Sequence, residues 1–130
     1  MKVGYRIAVI EDNVDNRLLL RFMLHEFCTL DEYEDGIAGL EGLKQKRPDL
    51  VLLDISLPDI DGEEVLSRIR ADETLKTLPV IALTAHAAAE DRERFLRNGF
   101  DAFVAKPLVD ESILLNAMDH VLREKALQGA

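Results

Sequence analysis

The chain of 130 residues has little of several features that mark large classes of protein. It contains one cysteine, Cys28, which rules out an internal disulfide and makes a reducing cytosol the expected compartment. No apolar run approaches the roughly 18 residues that a membrane span needs, and the apolar stretch at residues 7–10 is too short for a signal peptide. We therefore expect a cytoplasmic protein that does not insert into a membrane.

Basic residues are also scarce relative to acidic ones. The chain has 16 Lys and Arg against 25 Asp and Glu, a formal net charge of −9. Binding to nucleic-acid phosphates requires a basic face, so no direct nucleic-acid binding is expected. The 48% of hydrophobic residues suffices for one packed core. We predict a single domain over residues 1–130, with its core at about 5–123 and a frayed tail at 124–130.

Short strand-like segments alternate with segments of helical period. Four of them are continuously apolar, as strands covered on both faces are: Tyr5–Ile10, Leu50–Asp54, Pro79–Thr84 and Ala102–Ala105. A fifth, Thr29–Tyr33, alternates and carries charge, which is typical of an edge strand. This order predicts an α/β fold, a doubly wound parallel sheet of five strands flanked by five helices.

The apolar positions of the first two helices predict their buried faces. The first helix is expected to begin after Asn13 and to bury a stripe of Val14, Leu18 and Phe22, extended by Met23. Ile37, Leu40 and Leu43 mark the second helix, which Gly39 and Gly42 are expected to weaken.

The last two helices bear on how a signal could leave the molecule. Ala87–Asn98 has Phe95 and Leu96 as its large apolar side chains, which is typical of a mobile helix and equally of an ordinary exposed one. In the fifth helix, Leu115 and Leu122 lie at the edge of the apolar stripe. They belong either to the core or to a partner-facing patch with the fourth helix and the fifth strand.

Ionisable and hydroxyl groups stand where the predicted strands end. They are Glu11 and Asp12 after the first strand, Asp54 at the end of the third, Thr84 at the end of the fourth and Lys106 after the fifth. Ligands of open α/β sheets bind at this edge. Each residue alone is most simply a helix cap or a surface residue, but the joint pattern favours a site.

The charge of that edge suggests its chemistry. Three carboxylates and one ammonium sum to −2, and two like charges about 4 Å apart repel by roughly 4 kcal/mol at an effective dielectric of 20. Oxygen ligands of this kind suit Mg²⁺, which would neutralise the sum. With Lys106 and the Thr84 hydroxyl, such a site has the parts that phosphoryl transfer requires, and Asp54 is the best placed nucleophile.

These residues resemble the receiver domain of bacterial response regulators, over about residues 6–122. The matching motifs are Glu11-Asp12, the DISLPDIDG run from Asp54 to Gly62, Thr84-Ala85, Phe103 and Lys106-Pro107. The resemblance implies a flavodoxin-like fold with strand order 2-1-3-4-5. It also implies a two-component phosphorelay in which a histidine kinase or histidine phosphotransfer protein is the partner.

The resemblance assigns a role to each matching residue. Asp54 is the phosphoacceptor, and Lys106, before a cis Pro107, pairs with a phosphate oxygen. Asp12, Asp54 and the main-chain carbonyl of Ser56 ligate Mg²⁺, while Glu11 acts through a water. Thr84 and Phe103 form the switch, which acts on the surface of the fourth helix, fifth strand and fifth helix.

Three positions qualify these assignments. Phe103 stands where many members have Tyr, so a readout through that hydroxyl is in doubt. Ser56 and His86 occupy positions that tune dephosphorylation in the family, although His86 also reads as an ordinary exposed loop residue. The chain is expected to catalyse its own phosphorylation and slow dephosphorylation and not to be a conventional turnover enzyme.

Other functions are less well supported by the residues. A phosphorylation-independent docking module usually lacks the acceptor, the acidic pair or the lysine, and all are present here. A Mg²⁺-dependent phosphatase of the haloacid-dehalogenase type needs a second Asp where Ser56 stands. A nucleotide binder needs a Gly-rich loop after the first strand, and none follows. Output is expected through a downstream protein or an adjoining domain, and weak homodimerisation is compatible with the sequence.

Overall fold

The computed structural model describes residues 4–85 and 89–128, with side chains except at 89, 90 and 128. Within these residues five parallel strands form one sheet in the order β2-β1-β3-β4-β5, which confirms the predicted fold class. The strands are β1 (Tyr5–Ile10), β2 (Cys28–Tyr33), β3 (Leu50–Asp54), β4 (Val80–Thr84) and β5 (Ala102–Ala105). The helices are α1 (Val14–Leu24), α2 (Gly36–Gln45), α3 (Gly62–Ala71), α4 (Ala89–Asn98) and α5 (Glu111–Gln128).

The sheet separates two apolar clusters. On one face, Ile7 and Val9 pack with α1 and α5; on the other, Ala8 and Ile10 pack with α2, α3 and α4. Every residue of β3 and β4 is buried, as the continuously apolar reading of these strands predicts. The charged strand β2 lies at the edge, where Arg6 Nη1 approaches Asp31 Oδ2 to 2.8 Å. Helices therefore cover both faces of the sheet.

The predicted buried face of α1 is wrong at three of its four positions, and only Met23 is buried as predicted. Asn13 does cap the helix, since its side chain accepts a hydrogen bond of 2.9 Å from the Asn16 N–H. However, Val14, Leu18 and Phe22 are 58%, 48% and 74% exposed, and the buried side chains are Leu20, Met23 and Leu24. The segment is apolar around most of its circumference, so helical period does not show which side meets the sheet.

The last residues that the structure describes are helical. Residues 124–128, expected to be a frayed tail, continue α5 to Gln128, and Lys125 Nζ lies 3.7 Å from Asp101 Oδ1. Leu122 is 7% exposed and belongs to the core, and the half-buried Leu115 packs against it. Of the two alternatives, the structure therefore favours the core for Leu122 and the border of the core for Leu115.

Helix α4 has few large apolar side chains in contact with the core, as its sequence indicates. Phe95 is buried and Leu96 is half exposed, so one large apolar side chain anchors the helix. Gly99, with φ of 110°, follows its last residue in the left-handed conformation that glycine commonly adopts just after a helix.

The glycines of α2 serve close packing against the sheet. A Cβ on Gly39 would lie 2.5 Å from Ile10 Cδ1, and a Cβ on Gly42 would overlap the Tyr33 ring. The sequence suggests that these glycines weaken the helix; in the structure they let its backbone approach β1 and β2.

Replacing Gly39 by Ala is therefore expected to destabilise the protein, although the same change in an open helix stabilises it. We expect a loss of about 1–3 kcal/mol in the free energy of unfolding, because the fully buried Ile10 has to shift. Urea denaturation followed by circular dichroism measures the loss. Glu41→Ala, at an exposed position of the same helix, is the control and should change stability little.

Candidate functional site

The strand register brings the predicted site residues to one edge of the sheet. Ile10 pairs with Leu53, so Glu11 and Asp54 follow at the same level. Asp54 in turn pairs with Leu83, which places Thr84 one residue further on. Beyond β5, the Lys106 N–H donates a hydrogen bond of 2.8 Å to the Thr84 carbonyl. The residues thus meet because parallel strands end together.

Three carboxylates converge at this edge. Glu11, Asp12 and Asp54 each offer an oxygen within 4.8 Å of the others. Glu11 and Asp54 are buried, at 0% and 2% exposure, whereas Asp12 is exposed. The cluster is therefore buried at Glu11 and Asp54 and open to solvent at Asp12.

Lys106 supplies positive charge to the buried pair. Its Nζ lies 3.0 Å from Asp54 Oδ2 and 3.2 Å from Glu11 Oε2. Burial by itself would lower the pKa of the Lys106 ammonium, but hydrogen bonds and charge attraction from Asp54 and Glu11 outweigh burial and raise it. Lys106 is therefore held charged between the two carboxylates.

Glu11 occupies the least favourable position for a charge. Burial raises the pKa of its carboxyl; the hydrogen bond from Asn16 opposes the rise, and the Asp54 charge adds to it. Asn16 Nδ2 donates to Glu11 Oε1 at 2.8 Å. Sequence reasoning missed Asn16, and its place in the first turn of a helix that starts beside the acidic pair was the available signal.

The loop after Asp54, residues 55–61 between β3 and α3, folds back on that residue. The Ser56 N–H donates to Asp54 Oδ1 at 3.0 Å, and the Gly62 N–H donates to the Ile55 carbonyl at 2.8 Å. A Cβ on Gly62 would lie 2.5 Å from the Asp54 carbonyl oxygen, so only glycine permits this approach. The main chain near Asp54 is thus tightly constrained.

The carboxylate cluster fits a hard divalent cation. All of its donors are oxygens, and three carboxylates face one ammonium. In addition, Glu11 Oε2 is buried and makes no hydrogen bond to any described residue, although it lies near Lys106. An unsatisfied buried carboxylate oxygen is costly, and a cation or its bound water would satisfy it.

The two predicted switch residues lie on neighbouring strands. Thr84 is buried at the end of β4, and the half-buried ring of Phe103 on β5 packs against the core cluster of α2, α3 and α4. The Arg92 guanidinium of α4 lies 4.8 Å from the centroid of the Phe103 ring, a cation–π contact that sequence reasoning missed. The Lys106–Pro107 peptide bond is cis. His86 lies outside the described residues.

Comparison with known proteins places the chain in a family. Residues 7–119 match the response regulator receiver domain. The chain belongs to this family.

Named relatives agree with this assignment. The polar-differentiation response regulator DivK of Brucella anthropi is 36% identical over 104 residues, which are 78% of this chain and 84% of DivK. The sensor protein GacS of Pseudomonas syringae pv. syringae is 33% identical over 112 residues, 83% of this chain and 12% of GacS. This chain therefore spans a small part of that relative.

A solved structure bears on the carboxylate cluster. The receiver domain of sensor histidine kinase PA1611 from Pseudomonas aeruginosa PAO1 superposes with a TM-score of 0.83 at 32% identity. The match covers 92% of this chain and 98% of that one, and that structure holds a magnesium ion in its active-site cleft.

Among the helices of residues 4–85 and 89–128, none is long and apolar enough to cross a membrane.

Replacing Asp12 by Asn is expected to weaken Mg²⁺ binding at least about tenfold, because the variant loses a charged oxygen at the open side of the cluster. Isothermal titration calorimetry suits a chain without tryptophan. Asp15→Asn, which removes an exposed carboxylate in the first turn of α1, makes the same change in net charge and should bind as the wild type does. Equal affinity in all three proteins would contradict the cation site.

Proposed function

We propose that this receiver domain accepts a phosphoryl group on Asp54 from a phosphohistidine of a histidine kinase or histidine phosphotransfer protein. The observation that carries the proposal is the placement of Asp54. It is buried at the carboxyl end of β3, with Lys106 Nζ 3.0 Å from one oxygen and two further carboxylates within reach of one cation. We further propose that residues 1–130 are one receiver domain that acts in the cytoplasm.

The proposed transfer is a displacement at phosphorus. A carboxylate oxygen of Asp54 forms the new bond to phosphorus, the bond from phosphorus to the histidine nitrogen breaks, and the imidazole takes up a proton as it leaves. Asp12, Asp54 and the Ser56 carbonyl would hold Mg²⁺, with Glu11 acting through a water. When bound, Mg²⁺ would neutralise charge on the phosphoryl oxygens.

The chain's own groups orient the reaction. Lys106, already placed against Asp54, is available to pair with a phosphoryl oxygen, and the Ser56 N–H holds the other Asp54 oxygen at 3.0 Å. Thr84 is the proposed hydroxyl partner of the phosphoryl group. Ser56, exposed beside the acceptor, and His86 are proposed to tune the later attack of water. The product is a phosphorylated protein and not a released small molecule.

Output is proposed to leave through α4, β5 and α5. Movement of Thr84 toward the phosphoryl group would open space for the Phe103 ring, which would then leave Arg92. This contact joins α4 to β5, so its loss would change the surface that both present. A downstream protein or an adjoining domain would read the change.

Incubation with acetyl phosphate and Mg²⁺ should add one phosphoryl group to the wild type, detected by intact-protein mass spectrometry. Asp54→Asn should add none, because the amide cannot act as the nucleophile. Asp15→Asn, at an exposed site, is the control and should be labelled like the wild type. Labelling that persists in Asp54→Asn would refute Asp54 as the acceptor.

We also propose that the phosphodonor protein docks on the exposed stripe of α1, formed by Val14, Leu18 and Phe22. These residues are four apart and follow one side of the helix, which begins just after the acidic pair. Ile113, at the start of α5 on the same side of the sheet, is likewise 56% exposed. An apolar stripe beside the acceptor fits the apolar face of a partner helix.

Leu18→Lys should slow phosphorylation by a protein phosphodonor at least about tenfold, because a charge is placed in an apolar contact. Labelling by acetyl phosphate should stay unchanged, since the small donor needs no docking surface. Leu127→Lys adds the same charge at a 75% exposed leucine near the end of α5 and serves as the control. Equal slowing by both variants would point to net charge and would exclude α1 as the docking surface.

A further inference from the structure

Asp59 joins the loop after the acceptor to a helix that takes no other part in the proposed chemistry. It lies five residues after Asp54, and its carboxylate accepts two backbone hydrogen bonds from the start of α2. The Gly36 N–H lies 2.9 Å from Oδ1 and the Ile37 N–H lies 2.8 Å from Oδ2. Each carboxylate oxygen therefore has its own donor.

The start of α2 is capped from two directions. Asp35, the residue before the helix, accepts a hydrogen bond of 2.8 Å from the Ala38 N–H in the ordinary way. Asp59 reaches the two preceding N–H groups from a different part of the chain. These are the unpaired donors that every helix start presents. The cap by Asp35 is local, whereas the cap by Asp59 also ties the 55–61 loop in place.

Apolar packing reinforces this tie. A Cβ on Gly36 would lie 2.6 Å from Ile60 Cγ1 and 2.9 Å from Val65 Cγ2, so the loop and α3 press directly on the first residue of α2. Burial alone would raise the pKa of the Asp59 carboxyl, but the N–H groups of Ile37 and Gly36 outweigh burial and lower it to about 2. The carboxylate is thus charged at neutral pH, as a helix start favours.

We infer that Asp59 is a positioning residue for phosphoryl transfer, which fastens the 55–61 loop to α2 and thereby fixes Ser56 beside Asp54. The inference deepens the proposed function and rests on it. The loop is held at its start by the Ser56–Asp54 bond, in its middle by Asp59, and at its end by the Gly62–Ile55 bond. Loss of the Asp59 hydrogen bonds would leave the loop held only by its two ends, so Ser56 could shift relative to Asp54. A small shift of a group at a reacting centre lowers the reaction rate substantially.

A carboxylate is required for this role. Two N–H donors approach its two oxygens, and an amide has one oxygen and one NH₂ group, which would face a donor. Asp59→Asn therefore keeps one bond and loses the other, while Asp59→Ala loses both. A graded loss of phosphorylation rate should follow in that order.

The experiment compares Asp59→Asn and Asp59→Ala with Asp35→Ala, which removes the local cap of the same helix and leaves the loop attached. All are labelled with acetyl phosphate at saturating Mg²⁺, at a temperature where circular dichroism shows each protein folded. We expect Asp59→Ala to lose about tenfold in labelling rate, Asp59→Asn to fall between, and Asp35→Ala to match the wild type. Both alanine variants should lower the urea midpoint.

A second readout follows the loop directly. In ¹H–¹⁵N spectra the Ser56 amide should shift in the Asp59 variants and keep its wild-type position in Asp35→Ala. A wild-type labelling rate in Asp59→Ala, or equal slowing in Asp35→Ala, overturns the inference. If Asp59→Ala is unfolded, Asp59→Asn decides by the same criteria. If the wild type itself is not labelled, the result contradicts the proposed function and not the role of Asp59 alone.

Discussion

Two buried carboxylates beside each other repel unless positive charge lies close to both or one of them takes up a proton, and the site is arranged around this constraint. Lys106 meets it in the described structure by lying within 3.2 Å of Glu11 and Asp54. One ammonium does not balance three carboxylates. The remaining negative charge, and the buried Glu11 oxygen that contacts Lys106 but accepts no hydrogen bond from a described residue, make this edge of the sheet suitable for a cation and, with it, for a phosphoryl group.

The main chain around Asp54 is as constrained as its charges. Glycine at 62 lets the loop return to within contact of the Asp54 carbonyl, and glycine at 36 lets Ile60 press against α2. The Asp59 carboxylate adds hydrogen bonds across the same junction. The buried Asp54 thus lies in backbone that is held from several sides, an arrangement that fixes the position of its carboxylate.

The outer surfaces have a different character. The α1 stripe is apolar and exposed next to the acidic pair, while α4 is polar, anchored by Phe95 and joined to β5 through Arg92 and Phe103. The first surface suits a lasting apolar contact with a partner, and the second suits a change of conformation.

The sequence alone predicts the order of strands and helices and the residues at the strand ends. It does so because buried strands are continuously apolar and the residues that follow them are polar or charged. β1, β3 and β5 have the predicted bounds. The orientation of α1, the burial of Leu122 and the partners Asn16, Asp59 and Arg92 were not readable in this way. The local sequence pattern shows that a helix has apolar sides. Which of these sides meets the sheet depends on packing between segments far apart in the chain, and so does the set of distant side chains that come into contact.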